Sequence, residues 1–426
     1  MKKRHSIGRF VVVAVLTLVV LLLTVCSFKL PGDWQDNDFY GFARAINYGI
    51  DFRGGTLQEY SVKSTNAGTN VGEGIGYNAA RIGYLLEKSG EYGYDVNVFQ
   101  NGDNIGIEFW DEFAPLDIEQ IINKKVTFSI KKENGTDKEE IVSVDDVESA
   151  QAVVTGSQNV LIIYFTETGS EHFQTIIDSG TAYFYINSTT AQELKLNDGV
   201  SNSYVGISVK NLDTARYWAS EIMSAKYNLK FENVATTVVT REAAQKNVIV
   251  AICLTVGLFL LCSILLTVFF KKLGLVGSFI LLIGTLLQIL ILQSVPETAF
   301  VMTVPAFYAS LLSMILGALA IFLIFAKMHS EYKQGKILFA SVKFGYNKIW
   351  LKMLDIFVIL FAVALVALFA SSYYTKQFAM ALVVGLAIFA VVTLVLTKFF
   401  TIWLSNICYK NKDYGFKREA NINELK

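Results

Sequence analysis

The ten residues Asn47-Tyr48-Gly49-Ile50-Asp51-Phe52-Arg53-Gly54-Gly55-Thr56 hold the most distinctive spacing of polar and conformationally special side chains in the sequence. Asp51 can accept hydrogen bonds from nearby backbone donors, while Gly54 and Gly55 permit positive φ and close backbone approach. The pattern predicts a tight, exposed turn leading into a strand over 56–62, where Thr56-Leu57-Gln58-Glu59-Tyr60-Ser61-Val62 alternates with period two. A second candidate is a charged pair within apolar runs, Asp355 and Lys398. No catalytic set stands out: there is no Ser/His/Asp arrangement, nucleotide loop or supported pair of catalytic carboxylates, and no cofactor is expected. His5, His172 and His329 lie too far apart in sequence and topology to predict a metal site.

The elements that must carry these residues are membrane-spanning. Hydrophobic residues make up 53% of the chain, charged residues only 17%, and prolines number four in 426 residues. Six apolar runs reach the roughly 20 residues that cross a bilayer: 10–28, 248–270, 273–292, 300–326, 353–370 and 378–404. The first exceeds the apolar core of a signal peptide and has no small-x-small cleavage site after it, so it reads as an uncleaved anchor. Cys26 follows a bulky Val25 rather than the small residue of a lipoprotein box, and counts as a span residue. With Cys253, Cys262 and Cys408 also in or beside spans, the long polar insertion has no cysteine and no disulfide.

Basic residues cluster before the first span (Lys2, Lys3, Arg4, Arg9), between the second and third (Lys271, Lys272), over 327–352, and after the sixth. The positive-inside rule then places both termini in the cytoplasm and the insertion outside. Residues 31–245 carry 31 acids and 16 bases, a difference of 15 negative charges, whereas the remainder carries 6 acids and 21 bases. Such an acidic face excludes nucleic acid as an external partner, because phosphate binding needs a basic surface. The basic stretch 327–352 reads as a topology signal, with anionic lipid headgroups or a cytosolic partner as other readings. The predicted layout is residues 1–28 as cytoplasmic N-terminus and first helix, 29–247 as the external domain, 248–409 as helices two to six, and 410–426 as a cytoplasmic tail.

Within the insertion, periodicity predicts a helix over 78–89, strands over 96–99 and 105–110, a helix over 116–123 and a strand over 126–131. The charged stretch 131–146, with Asn134-Gly135, reads as a solvated hairpin or linker. A second set follows: strand 160–165, helix 169–177, strands 182–186 and 204–209, helix 212–225 and strand 229–239. Successive strands joined by short turns favour two α+β modules over a doubly wound sheet. Stretches 131–146 and 197–203 are candidate hinges, since they lack apolar periodicity.

The heptapeptide Gly49-Ile50-Asp51-Phe52-Arg53-Gly54-Gly55, just outside a first span, resembles the signature that opens the external domain of the SecD/SecF family, accessory subunits of the bacterial Sec protein-export machinery. The order and length of the insertion resemble a SecD external domain with a base and a head, although Phe52 and Thr56 are SecF-like. Pro305, Glu331-Tyr332-Lys333-Gln334-Gly335-Lys336, Asp355, Lys376-Gln377-Phe378-Ala379-Met380-Ala381-Leu382-Val383-Val384-Gly385 and Thr397-Lys398 also fall where SecD has related features. The resemblance implies a six-helix bundle of the resistance-nodulation-division type with one large external α+β domain. It also implies a multi-pass protein of the bacterial cytoplasmic membrane that works with a SecF-like subunit, the SecYEG translocon, an unfolded preprotein and membrane lipids. Late-stage export coupled to proton movement, without bond-making chemistry, would be the role.

The departures bear on coupling. The aspartate and asparagine of the family's G-x-x-x-D-A-N core fall on Leu319 and Ile321; 356–360 is apolar, and Ile388, Phe389 and Val392 replace polar residues of the last span. Apart from Asp355, the expectation is that no aspartate or glutamate lies in any span. Asp355 reads either as the survivor of a transport path beside Lys398, or as a carboxylate capping the first turn of its span. Alternative functions are a small-molecule or lipid transporter half of the same superfamily, and a non-transporting membrane scaffold.

Overall fold

The computed structural model describes residues 2–29, 38–39, 41–64, 71–87, 94–110, 118–135, 138–156, 158–178, 180–187, 189–195, 201–370, 372–408 and 411–416. Two units form. One comprises Met1–Arg53, Glu242–Ala370 and Tyr374–Lys426, the other Gly54–Arg241 with Ser371–Tyr373. The expected external segment 29–247 therefore divides, and the described residues before Gly54 belong with the membrane helices.

In chain order, the first unit opens with α1 (Lys2–Val25), the antiparallel pair β1 (Phe28–Lys29) and β2 (Asp38–Phe39), and the one-turn helix α2 (Ile50–Arg53). The second unit runs β3 (Gly55–Ser64), α3 (Val71–Glu87), β4 (Val96–Asn101), β5 (Asn104–Phe109), α4 (Ile118–Ile122), β6 (Phe128–Lys131), β7 (Glu140–Ser143), β8 (Val147–Thr155) and β9 (Gln158–Phe165). It continues with α5 (Glu167–Ile177), β10 (Thr181–Ile186), β11 (Thr189–Lys195), β12 (Tyr204–Val209), α6 (Leu212–Tyr227) and β13 (Leu229–Val239). The chain then forms α7 (Arg241–Phe270), α8 (Lys272–Leu292), α9 (Val304–Lys333), α10 (Leu338–Ala367), α11 (Tyr373–Val391) and α12 (Thr397–Ile407), with a π-helical segment, Val392–Leu396, joining the last two.

The second unit has two cores. In the first, an antiparallel sheet of order β13-β3-β5-β4 packs on α3. Period two on β5 sends Ile105, Ile107 and Phe109 inward, and the 3.6-residue period of α3 delivers Ile75, Ala79, Ile82 and Leu86 to meet them. The second core gathers strands from two sheets, β11-β10-β6-β7 and β12-β9-β8, around Ile130, Leu161, Ile163, Phe173, Phe184, Ile207 and Ile222. Its helices start on side-chain caps: Thr166 accepts the Gly169 N–H at 3.1 Å, and Asn211 accepts that of Thr214 at 2.7 Å.

Two expectations change here. Strand 229–239 has the predicted bounds, yet it belongs to the first module, pairing with β3 from Leu229↔Ser64 to Val239↔Gly55. Its β-branched run specifies a strand but carries no address for a partner some 170 residues away. Stretch 131–146 does contain a hairpin, β6–β7, but its first residue is buried: Lys131 donates from Nζ to the Lys138 carbonyl at 2.8 Å. Part of the candidate hinge 197–203 lies outside the described residues.

Among the described residues six helices are long and apolar enough to cross a membrane, matching the predicted number. α8, α9 and α11–α12 supply most of the bundle interior, through Ile280, Leu281, Ile321, Phe325, Phe389 and Phe400. α7 buries only Ala244, Leu266 and Phe270, so nearly its whole apolar surface faces outward. Span ends differ most on either side of the turn 334–337. α9 runs to Lys333 and α10 starts at Leu338, so the expected basic loop 327–352 is almost entirely helical. Hydropathy detects the stretch inside the bilayer and misses lysine-rich helical turns that extend beyond it.

Candidate functional site

The glycine motif is a buried junction, not an exposed turn. Gly49, Ile50, Phe52, Gly54 and Gly55 are all buried, and 50–53 is one turn of helix. Burial follows from partners far along the chain. The Gly49 N–H donates to Met302 O at 3.2 Å and the Met302 N–H to Asn47 O at 2.7 Å, so Tyr48 and Met302 form a parallel bridge. Asn47 Nδ2 donates to Val295 O at 3.0 Å, and Gln377 Oε1 accepts the Val301 N–H at 2.9 Å. Phe52 meets Tyr48 and Phe307 edge-on at 5.7 and 6.1 Å.

Asp51 ties this junction to a transmembrane helix. Its Oδ2 accepts the N–H of Val304, the first residue of α9, at 3.1 Å, while its backbone oxygen accepts from Asn247 Nδ2 on α7 at 2.8 Å. Thr303 caps the same helix through its hydroxyl, and Pro305 has no N–H to satisfy. A carboxylate at this end also meets the positive pole of the α9 dipole. Tyr48 donates its hydroxyl to Ala43 O at 2.6 Å, and burial pushes the phenol up to about 12. A cleft of about 550 Å³ lies beside the motif, lined by Arg44, Asn47, Tyr48, Phe52, Arg53 and Glu297.

The unit boundary falls between Arg53 and Gly54. Gly54 has φ +87°, and a Cβ there would sit 3.3 Å from Arg241 Cα and 3.4 Å from Val239 O. A side chain at Gly54 would therefore be strained in φ and crowded by the strand end that leads back out of the domain.

In the bundle, the structure does not bring Asp355 and Lys398 together. Lys398 lies over the Tyr346 ring at 5.9 Å, and no ion pair between the two occurs among the described residues. Nor does Asp355 cap a helix: α10 begins at Leu338, which leaves the carboxylate in mid-helix and exposed. Leu319 is outward-facing and Ile321 fully buried in the apolar core. Beyond the predicted span 300–326, the last turn of α9 carries Glu331. This fully buried carboxylate is held by Lys336, by Lys348 at 2.8 Å and by Lys327 at 3.8 Å, which fastens α9 to α10.

Sequence reasoning missed a neutral polar contact that three helices share. Ser313 of α9 donates to Gln288 Oε1 of α8 at 3.2 Å and to Ser310 O at 2.7 Å. Gly385 of α11 packs so closely that a Cβ there would meet Ser313 Oγ at 2.3 Å and Gln288 Nε2 at 2.7 Å. Gln288 Nε2 has no hydrogen-bond partner among the described residues. A glutamine inside the run Leu286-Leu287-Gln288-Ile289-Leu290 was the available signal, since an amide is costly in hydrocarbon.

Residues 39–65 match the SecD/SecF GG motif family. A protein translocase subunit SecD of Acidaminococcus fermentans is 22% identical over 368 residues, covering 83% of this chain and 84% of its own length. A crystal structure of SecDF in a super-membrane-facing form superposes with a TM-score of 0.63 at 15% identity, over 96% of this chain and 59% of that one. SecDF from Thermus thermophilus, described as a translocon-associated membrane protein, gives 0.55 at 14% identity over 94% and 58%. This chain thus spans less than two thirds of the SecDF chains whose fold it shares. Six candidate spans, an α+β unit inserted after the first of them and the glycine motif make this chain similar to SecD-type protein translocase subunits.

Proposed function

We propose that this protein is an accessory subunit of Sec-type protein export that assists the late movement of an unfolded preprotein across the cytoplasmic membrane. The observation that carries the reading is the match of residues 39–65 to the SecD/SecF GG motif, whose residues 47–53 fix the start of α9 within the first unit through Asp51 and Met302. By resemblance the partners are a SecF-like subunit and the SecYEG channel, and the role involves no bond-making step. A transporter half of the same superfamily is disfavoured, because Leu319 and Ile321 are apolar where a polar relay would run.

The orientation we propose puts both termini and the 334–337 turn in the cytoplasm and Gly54–Arg241 outside. In a cysteine-free background, single cysteines at Asn134 and Asn202 should react with an impermeant thiol reagent on intact cells, and one at Gln334 only after lysis. Labelling of Gln334 on intact cells overturns the topology. For the function itself, depletion of the protein should slow export of a reporter preprotein, and mild detergent should co-purify it with a SecF-like chain. Unchanged export together with clean recovery as a monomer refutes the reading.

A further inference from the structure

A cleft of about 310 Å³ in the second unit lies between α3, the segment after α4, the end of α6 and the start of β13. Its charged lining is entirely basic, from Arg81, Lys124, Lys125 and Lys230, joined by Asn78, Asn123, Ser224 and Asn228. That is unexpected in a segment where acids outnumber bases 31 to 16 over residues 31–245, for four of the sixteen bases converge on one concavity with no acid among the lining residues.

Two of the lining residues carry buried polar atoms that make no hydrogen bond among the described residues, Ser224 Oγ and Arg81 Nε, the latter 3.9 Å from the Glu221 carboxylate. Both residues are more than nine-tenths buried. Arg81 is held by neighbours: Nη1 donates to Ile122 O at 3.3 Å and Nη2 to Lys124 O at 3.1 Å. These bonds leave further guanidinium N–H groups unused. Glu221 stands behind Arg81 at 3.9 Å and accepts from Tyr217 and Asn187, and Glu232 is shared by Lys230 and Lys63. Burial lowers the Arg81 pKa, with Glu221 opposing the shift. Glu221 supplies one counter-charge to this desolvated cation, and the unused guanidinium N–H groups can take a further acceptor. Lys124 and Lys125 are exposed at the rim, which suits them to draw such a group in.

We infer that this cleft binds a small oxyanion, a phosphate or a carboxylate, between Arg81, Lys124 and Lys125. The volume is at the lower end of ligand sites, which admits an ion or an amino-acid-sized acid. Such a ligand would join α3 of the first module to the segment that enters the second.

The test uses the full-length protein in detergent, titrated calorimetrically with inorganic phosphate in one arm and N-acetyl-aspartate, a stand-in for a peptide carboxylate, in the other. Saturable binding in either arm is expected, and the preferred arm identifies the source. Lys124→Gln with Lys125→Gln should weaken it by about tenfold, the effect of losing two partly screened charge contacts. Lys210→Gln, at another exposed site in the same unit, should leave it unchanged. Should the double glutamine variant unfold, Lys124→Arg with Lys125→Arg replaces it and should retain binding. No saturable binding in either arm, equal binding by the double glutamine variant, or loss in the arginine variant while it stays folded overturns the site. None of these outcomes depends on the export reading.

Discussion

Replacing Asp51 tests whether the motif acts as a helix attachment. Asp51→Ala removes a charge-assisted hydrogen bond to Val304 N–H, and bonds of that kind contribute about 1.5–3 kcal/mol. It also removes a favourable charge at the α9 N-terminus, a further ~0.3–1 kcal/mol. Thr303 still caps Ala306, so the helix keeps part of its termination and the expected loss is ~2–3 kcal/mol. Asp51→Asn keeps an acceptor oxygen and loses only the charge, for ~0.5–1 kcal/mol. At roughly 2–4 °C per kcal/mol for a unit of this size, thermal unfolding of the purified protein should fall by about 5–10 °C for alanine and 1–4 °C for asparagine. Amide exchange over 303–307 should quicken in the same order. An alanine variant that melts within a degree of the parent, or exchange that quickens elsewhere but not at 303–307, would refute the attachment.

Gly385→Ala should destabilise the bundle by about 1–3 kcal/mol through overpacking, because its Cβ meets Ser313 Oγ and Gln288 Nε2; Gly257→Ala, with open space around it, should not, and detergent melting curves compare the two. Tyr48 is held neutral to about 12 against an ordinary 10, so below pH 10 it contributes no pH dependence, and between 10 and 12 the unfolded chain ionises first and stability falls as pH rises. The melting temperature of the parent should therefore drop more steeply over that window than that of Tyr48→Phe, and parallel slopes would exclude Tyr48 as the cause. Asp355→Asn should leave gradient-dependent export of a reporter preprotein near the parental level, since the exposed carboxylate makes no ion pair with Lys398; loss of only the gradient-dependent part, with the protein folded and abundant, would make Asp355 a coupling residue.

Local period and long apolar runs made much of the fold legible. Ile105, Ile107 and Phe109 announce β5 by alternation, and six runs give six helices. Partnership was not legible. β13 has the bounds its composition implies, but its place beside β3 is decided by packing between distant segments. Burial of the motif was hidden for the same reason, since Asp51 finds its donor 253 residues away. The burial of Glu331 was not legible because it and the lysines that neutralise it sit beyond the apolar stretch that hydropathy marks, and a carboxylate so surrounded no longer follows the rule against buried acids.

The distribution of polar groups in the bundle bears on what could move a proton. Proton transfer at hydrocarbon depth needs titratable or hydroxylated groups in sequence. Thr393, Thr397, Thr401 and Ser405 are buried at four-residue intervals along the last span, a stripe that resembles a wire. The hydrogen bonds argue otherwise. Thr393 donates to Phe389 O, Thr401 to Thr397 O and Ser405 to Ile402 O, so three of the four hydroxyls spend their proton on their own helix backbone rather than on the next hydroxyl, and Thr397 Oγ1 makes no hydrogen bond among the described residues. Gln288 and Ser313 sit nearer the opposite end and carry no ionisable group, while Glu331 is fixed among lysines. With Leu319 and Ile321 apolar, nothing titratable among the described residues joins these islands, and we propose that any proton-driven motion arises in a partner and arrives through helix contacts, of which the tie from Asp51 to α9 and that from Glu331 to α10 are the two most firmly built.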